Sequence, residues 1–299
     1  MSGDAIAVLM GGPDAEREIS IQSGRAVAAA LKRAGWAVHE HVIDRLDEAA
    51  LRSLAGDIVF PALHGPWGEG GPLQTLLESD GRPFVGSTAS VAALCMDKAE
   101  TKSLATSLGI ATPAWSVVRQ PLGCPLPPPV VIKPIDDGSS IDLHRCDTQS
   151  ASDRAVNTMV DTRGAAMAER WITGRELTIG LVCGEPLPIV EILPHDGVYD
   201  YAAKYDRDDT RYIVDPPLDR VHTERMIEST RLLCDRIGLR HVGRVDFLLD
   251  EEAPWLLEVN TMPGFTSHSL LPMAASARGW DMPSLCDRLV RSSGGEGAS

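Results

Sequence analysis

Residues 243–271 read GRVDFLLDEEAPWLLEVNTMPGFTSHSLL, and this stretch decides the fold. Two strand-like runs, 244–249 and 255–260, flank the polar link DEEAP. Side chains of a strand alternate between its faces, so residues two apart point the same way. Arg244 and Asp246 therefore share one face of the first run, opposite Val245, Phe247 and Leu249; Glu258 and Asn260 share a face of the second. Folded as a hairpin, the runs bring Asp246, Glu258 and Asn260 towards one point. All three are oxygen donors, with no thiol or imidazole among them. Such a set suits a hard cation such as Mg²⁺, which keeps several waters and binds substrate phosphates as well. Acids at alternate positions also mark solvated sheet faces. Here the small and turn-forming residues TMPG and SHSL follow Asn260, which suits a site better than a plain edge.

The remaining composition narrows the class. A chain of 299 residues has room for two or three α/β domains with their own cores. Its net charge of −14 argues against wide nucleic-acid or anionic-membrane surfaces. It does not argue against a nucleotide, which needs only a few lysines and backbone N–H groups. Cysteines 95, 124, 146, 183, 234 and 286 are scattered without a CxxC pair, so neither a disulfide framework nor a zinc site is expected. The opening MSGDAIAVLMGG has no basic region and too short an apolar run for a signal peptide. No apolar run approaches the ~20 residues that span a bilayer. A cytoplasmic location is expected.

Along the chain, 5–10 reads as a buried strand leading into Gly11-Gly12, followed by a helix through Ile19, Val27 and Ala30 that stops at Gly35. Strands at 37–42 and 57–63, separated by a helix near 46–54, predict a parallel sheet covered on both faces. The glycines do not form GxGxxG, so dinucleotide binding is not supported. VVIKPIDDGSSID (130–142) is an apolar strand ending in a small, flexible loop. Glycine and serine let backbone N–H groups approach a triphosphate, and Lys133 supplies a cation. The lysine precedes the loop, so this is not a P-loop. HDGVYDYAAKYDRDDTRYIVDPP (195–217) is polar and poorly periodic, and reads as a long loop without an element, a lid or a disordered segment. A helix at 221–237 and helices near 270–277 and 285–289 follow. The tail SSGGEGAS (292–299) is expected to be disordered.

GRVDFLLD…LLEVNTMPGFTSHSLLP resembles the C-terminal signature of the D-alanine–D-alanine ligases of the ATP-grasp superfamily. The likeness extends over almost the whole chain, because GGPDAEREIS, VVIKPIDDGSSID, ERWITGRE and DYAAKY recur in the family's order. It implies an α/β, three-domain ATP-grasp architecture: an N-terminal parallel α/β domain (1–95), a central ATP lid domain (96–174) and a C-terminal α+β domain (175–299). It also implies residue roles. Glu16 would hold the ammonium of the first D-alanine, and His64 would lie near that substrate's carboxylate. Lys98, Lys133, Ser139 and Ser140 would face the ATP phosphates. Asp142 departs from the pattern, standing where the family has a small residue. Glu169 would accept from the adenine amino group, the Trp171-Ile172 backbone would read the adenine edge, and Glu176 would bind the ribose. Lys204 and Tyr205 would belong to a closing ω-loop, with Tyr205 bonded to Ser139 and through it to Glu16. Arg244 and the Gly264 N–H would stabilise an oxyanion, while Ser269 and the Leu270 backbone would hold the second D-alanine's carboxylate.

The activity so implied joins two D-alanines through an acyl phosphate, using ATP and Mg²⁺ (Mn²⁺ as a substitute), in a cytoplasmic homodimer. Two alternatives stay open. One is a related ligase that takes D-serine, D-lactate or other amino acids; the other is a nucleotide-binding regulator without turnover. Tyr205 argues against the D-lactate ligases, whose ω-loop differs there. Arg244 argues against a regulator, since binding alone would not need it.

Overall fold

In the computed structural model, residues 4–139, 141–194 and 210–294 are described. The chain builds three sheets in succession. The first holds β1 (Ala5–Gly11), β2 (Ala37–Ile43) and β3 (Ile58–Pro61) in the order β2-β1-β3, all parallel. Six of the seven β1 residues are buried, as a strand covered on both faces requires. Helix α1 (Arg17–Arg33) covers one face. Its approach is close enough that a Cβ on Gly24 would lie 2.5 Å from the Met10 Cβ, so only glycine fits there. Helices α2 (Glu48–Ser53), α3 (Gly65–Gly68) and α4 (Pro72–Asp80) pack around β3, and α5 (Ala89–Met96) leads onward. Helix α6 (Lys98–Ser107) begins where the Asp97 carboxylate accepts from the N–H groups of Ala99 and Glu100.

The second sheet is antiparallel, β4-β7-β5-β6, from β4 (Trp115–Val118), β5 (Val130–Lys133), β6 (His144–Cys146) and β7 (Ala166–Arg170). Helix α7 (Gln149–Arg163) covers it, capped by Thr148 and stopped by Gly164 in the left-handed region. The third sheet is also antiparallel. Its path is β11-β10-β8-β12-β13, from β8 (Arg175–Val182), β10 (Val190–Leu193), β11 (Arg211–Val214), β12 (Val242–Leu249) and β13 (Pro254–Asn260), with β9 (Glu185–Pro186) beside β8. Helices α8 (Arg220–Ile237), α9 (Leu270–Ala277) and α10 (Met282–Ser293) complete the described chain.

Two expectations are corrected, and one unread segment gains an element. The run 195–217 is not element-free, because β11 pairs with β10 at its far end. Ser292 and Ser293, read as part of a disordered tail, form the last turn of α10. The segment 149–163, unassigned from sequence, is α7. Packing also joins the ends of the chain. One core holds Ile6, Val8 and Phe60 of the first sheet together with Leu271 of α9 and Leu285 and Leu289 of α10. No helix among the described residues is long and apolar enough to cross a membrane.

Candidate active site

The hairpin β12–β13 sets the geometry. Its register places Asp246 opposite Glu258 and Arg244 opposite Asn260, so the four side chains named from alternation do share a neighbourhood. Between Asp246 and Phe247 the register shifts, so one β12 step faces two residues of β13. Leu257 and Glu258, adjacent in sequence, both border the same cavity as a result.

Two cavities meet at this hairpin. The larger, about 370 Å³, lies between the second and third sheets, with Lys133, Glu169, Trp171, Ile172, Glu176 and Asp246 on its walls. The smaller, about 120 Å³, opens towards the first sheet, with Glu16, His64, Ser139, Arg244, Gly264 and Ser269 on its walls. Leu270 and Asn260 also border the smaller one. Four residues border both: Lys98, Asp137, Gly138 and Glu258. Asp246 thus faces the larger chamber, Asn260 the smaller, and Glu258 stands at the junction.

The carboxylate of Asp246 accepts from Arg244 Nε at 2.8 Å and Nη2 at 2.7 Å, and from Thr178 Oγ1 at 2.5 Å. A carboxylate offers about four lone-pair sites, and an amide oxygen two. Asp246 therefore keeps room for a cation, as does Asn260, whose Oδ1 accepts the Met262 N–H at 2.9 Å. Glu258 Oε2 lies 3.5 Å from Lys98 Nζ. The set of two carboxylates and one amide fits Mg²⁺ by donor type. Among the described residues no group of three His, Cys, Asp or Glu forms an alternative cluster.

Around the larger chamber, Lys133 Nζ donates to Glu169 Oε2 at 2.6 Å, and Lys102 Nζ pairs with the other oxygen. Burial works against the charged form of Glu169, but the two lysines outweigh it and hold the carboxyl below its usual range. The Trp171 N–H is spent on the Pro129 carbonyl at 3.1 Å, leaving the Trp171 carbonyl and the Ile172 N–H as the pair able to read a base edge.

In the smaller chamber, Ser139 Oγ donates to Glu16 Oε1. His64 is buried, with Nδ1 3.1 Å from the Met262 carbonyl and Nε2 3.5 Å from Ser23 Oγ. Burial pushes its pKa down, opposed by Glu16. Glu69, which sequence reading passed over, sits 3.9 Å from His64; burial and the nearby Glu16 charge push its carboxyl well up. A Cβ on Gly264 would come within 2.7 Å of Ser269 Oγ, so a larger residue there would push the Ser269 hydroxyl aside. Ser269 Oγ accepts the Thr266 N–H at 3.0 Å, and Ser269 is the N-cap of α9, whose N-terminus favours an anion.

The loop after β5 is held from outside both chambers. Ser139 and Asp142 take left-handed backbone angles, φ 51° and 54°. Asp142 accepts from Arg163 Nε at 2.9 Å and Nη2 at 2.5 Å, while Arg163 Nη1 reaches Asp137 Oδ2 at 2.9 Å. The unexpected acid is thus an anchor to α7. Lys98 Nζ closes the other side on the Asp137 carbonyl at 2.5 Å. Ser140, Lys204 and Tyr205 lie outside the described residues. Lys102 and Thr178 were also missed. Lys102 had a signal, lying one helical turn after Lys98 on the same face of α6; a lone threonine has none.

Comparison with known proteins gives a consistent result. The family described as D-ala D-ala ligase C-terminus matches residues 106–291. D-alanine–D-alanine ligase from Hydrogenovibrio crunogenus is 41% identical over 280 residues, covering 91% of this chain and 89% of that one. The ligase of the same name from Methylacidiphilum infernorum is 40% identical over 286 residues, covering 95% and 94%. In three dimensions the chain is similar to D-alanine–D-alanine ligase from Bacillus anthracis complexed with ATP. The TM-score is 0.85 at 29% identity, with 98% and 97% of the two chains covered.

Proposed function

The chain belongs to the D-alanine–D-alanine ligase family, and from that premise we propose how its two chambers perform the ATP-dependent joining of two D-alanines for peptidoglycan precursors. One observation carries the assignment of parts: the chambers share Lys98, Asp137, Gly138 and Glu258, a wall where a phosphate donor on one side can meet a carboxylate on the other.

A carboxylate is a poor electrophile and must be activated. The carboxylate of the first D-alanine, its ammonium on Glu16 and its position fixed beside His64, attacks the γ-phosphate to give an acyl phosphate and ADP. The amine of the second D-alanine, its carboxylate held by Ser269 and the Leu270 N–H, attacks that carbonyl, and phosphate leaves. Lys98 and Lys133 offset charge on the phosphates, and positioning supplies most of such catalysis. Mg²⁺, held by Asp246, Glu258 and Asn260, would neutralise further phosphate charge when bound, with Mn²⁺ as a substitute. Arg244 and the Gly264 N–H face the oxyanion of the tetrahedral intermediate, a contribution of about 3–4 kcal/mol per donor in other enzymes. Glu169, the Trp171 carbonyl, the Ile172 N–H and Glu176 hold adenosine. Ser139 covers the phosphates, and Ser140, Lys204 and Tyr205, outside the described residues, are assigned with it to ATP binding and catalysis. Domain limits near residues 95 and 174, a homodimer and a cytoplasmic setting complete the reading.

ADP release measured with a panel of D- and L-amino acids and D-lactate tests it. Release should depend on D-alanine. Equal ATP hydrolysis with and without D-alanine would replace the ligase reading by an ATPase.

A further inference from the structure

Two lysines share one carboxylate at the adenine end of the larger chamber, and they are not equivalent. The Lys102 side chain has no exposed area and does not border the chamber, whereas Lys133 does. Lys102 Nζ donates to Thr112 Oγ1 at 2.7 Å and to the Leu256 carbonyl of β13 at 3.2 Å, and pairs with Glu169 of β7. Two hydrogen bonds and one ion pair thus hold the Lys102 ammonium to three segments. Lys133 Nζ donates to Glu169, and its loop leads to the junction of the chambers.

We infer that Lys102 is a positioning residue of the nucleotide site: it is the fixed counter-ion that keeps Glu169 ionised and aimed when Lys133 leaves for the triphosphate. This rests on the ATP reading above. Two cations on one anion leave one positive charge to give to phosphate. Without Lys102, moving Lys133 would strand a carboxylate that is 3% exposed, and such a group takes up a proton instead. The charged groups facing Lys102 are Glu169 of β7, Lys133 of β5 and Glu258 of β13. Burial lowers the Lys102 ammonium to about 8, against the attraction of Glu169. The pair is therefore mostly charged at neutral pH.

The experiment is a binding titration with a non-hydrolysable ATP analogue and Mg²⁺, from about pH 6 to 9, on wild type, Lys102→Met and Lys102→Met/Glu169→Gln. Wild-type affinity should stay level until Lys102 begins to deprotonate. Lys102→Met should weaken by up to about tenfold per pH unit, because binding then takes up a proton. The double variant, with no carboxylate left to protonate, should lose that slope. A level profile in Lys102→Met, or an unchanged slope in the double variant, overturns the proposal. Wild type alone decides if the single variant does not fold. The ¹⁵Nζ resonance of Lys133 should shift on binding the analogue while that of Lys102 stays; the reverse overturns the proposal. Wild type that binds no analogue at any pH overturns the nucleotide reading as well, which separates the two failures.

Discussion

Asp246 is the residue on which both chemistry and local stability converge. Its carboxylate answers two N–H groups of Arg244 and the hydroxyl of Thr178 while facing the larger chamber. Asp246→Asn keeps the shape but removes the charge that pairs the guanidinium and would hold Mg²⁺. Breaking a buried ion pair by removing one partner costs about 3–5 kcal/mol. Because Arg244 is 14% exposed, the lower end is expected here. Turnover should fall by more than about a hundredfold, comparable to losing a transition-state donor, while the fold persists. Steady-state ADP release against Mg²⁺ concentration, with circular dichroism of the variant, checks this; near-normal release at limiting Mg²⁺ would remove Asp246 from the metal set. Gly264→Ala makes a separate point, since its methyl would fall 2.7 Å from Ser269 Oγ. The KM for the second D-alanine should rise while the KM for ATP holds. At this scale the sequence was legible where charged residues alternate on a strand. It was silent for Glu69 and Thr178, which matter through the distant Glu16 and Asp246 beside them.

Elements were legible where periodicity and punctuation agree. Strand β1 and helix α1 follow directly from an apolar run, a glycine pair and a helical spacing. Helix α7 was hidden, since its buried residues are only Ser152, Val156, Met159 and Val160, a thin stripe in a polar segment. Its signals were the Thr148 cap and the Gly164 stop. Strand β11 is four residues long and gains its identity from pairing with β10, which no local pattern reports. The entry to β12 offers a test. His241 sits at φ 54° and its Nδ1 accepts the Gly86 N–H at 3.0 Å, tying the end of the first sheet's region to the third sheet. Burial, with Arg240 adding to it, lowers the His241 pKa to about 4 from 6.5. Above 6.5 both folded and unfolded chains carry it neutral. As pH falls below 6.5 the unfolded chain binds the proton first, so stability is lost down to about pH 4 and then levels. The integrated loss is roughly 3 kcal/mol for this group. His241→Asn tolerates the left-handed angle and does not titrate. Urea unfolding of both proteins between about pH 4 and 7 should give a shallower decline for the variant; parallel curves would show that His241 is not the titrating group.

The first and third sheets share one apolar core with α9 and α10, while the larger chamber lies between the second and third sheets. The mixed α/β class and ATP-grasp kinship were legible because long motifs fall in order. The sharing of a core between the first sheet and α10 was not, because it joins opposite ends of the chain, as Trp36 Nε1 bonded to Asp287 at 2.8 Å, 251 residues away, illustrates. The second sheet keeps an apolar core of its own, around Val130, Ile132, Val156 and Ala168. Polar contacts run around its junction with the third sheet: Leu256 N–H to the carbonyl of Ala111 before β4 at 2.8 Å, Lys102 of α6 paired with Glu169 of β7, and Arg170 over the Trp255 ring at 5.0 Å. Since the larger chamber lies between these two sheets, a nucleotide there should act as a further link. At a hundred times its dissociation constant a ligand adds about 2.7 kcal/mol, which for a chain of this size raises Tm by roughly 4 °C. The rise should need the ATP analogue and Mg²⁺ together. Mg²⁺ alone should give little, because the phosphate oxygens that would complete its ligands are missing. Hydrogen exchange should show where the gain resides. Amides of β5 and of β12–β13 should slow together on binding, and in Asp246→Asn the Mg²⁺-dependent part of both effects should vanish. Protection confined to β12–β13, with β5 unchanged, would mean that the nucleotide rests on one sheet only, and the assignment of Lys133 and Glu169 to its phosphates and base would fall with it.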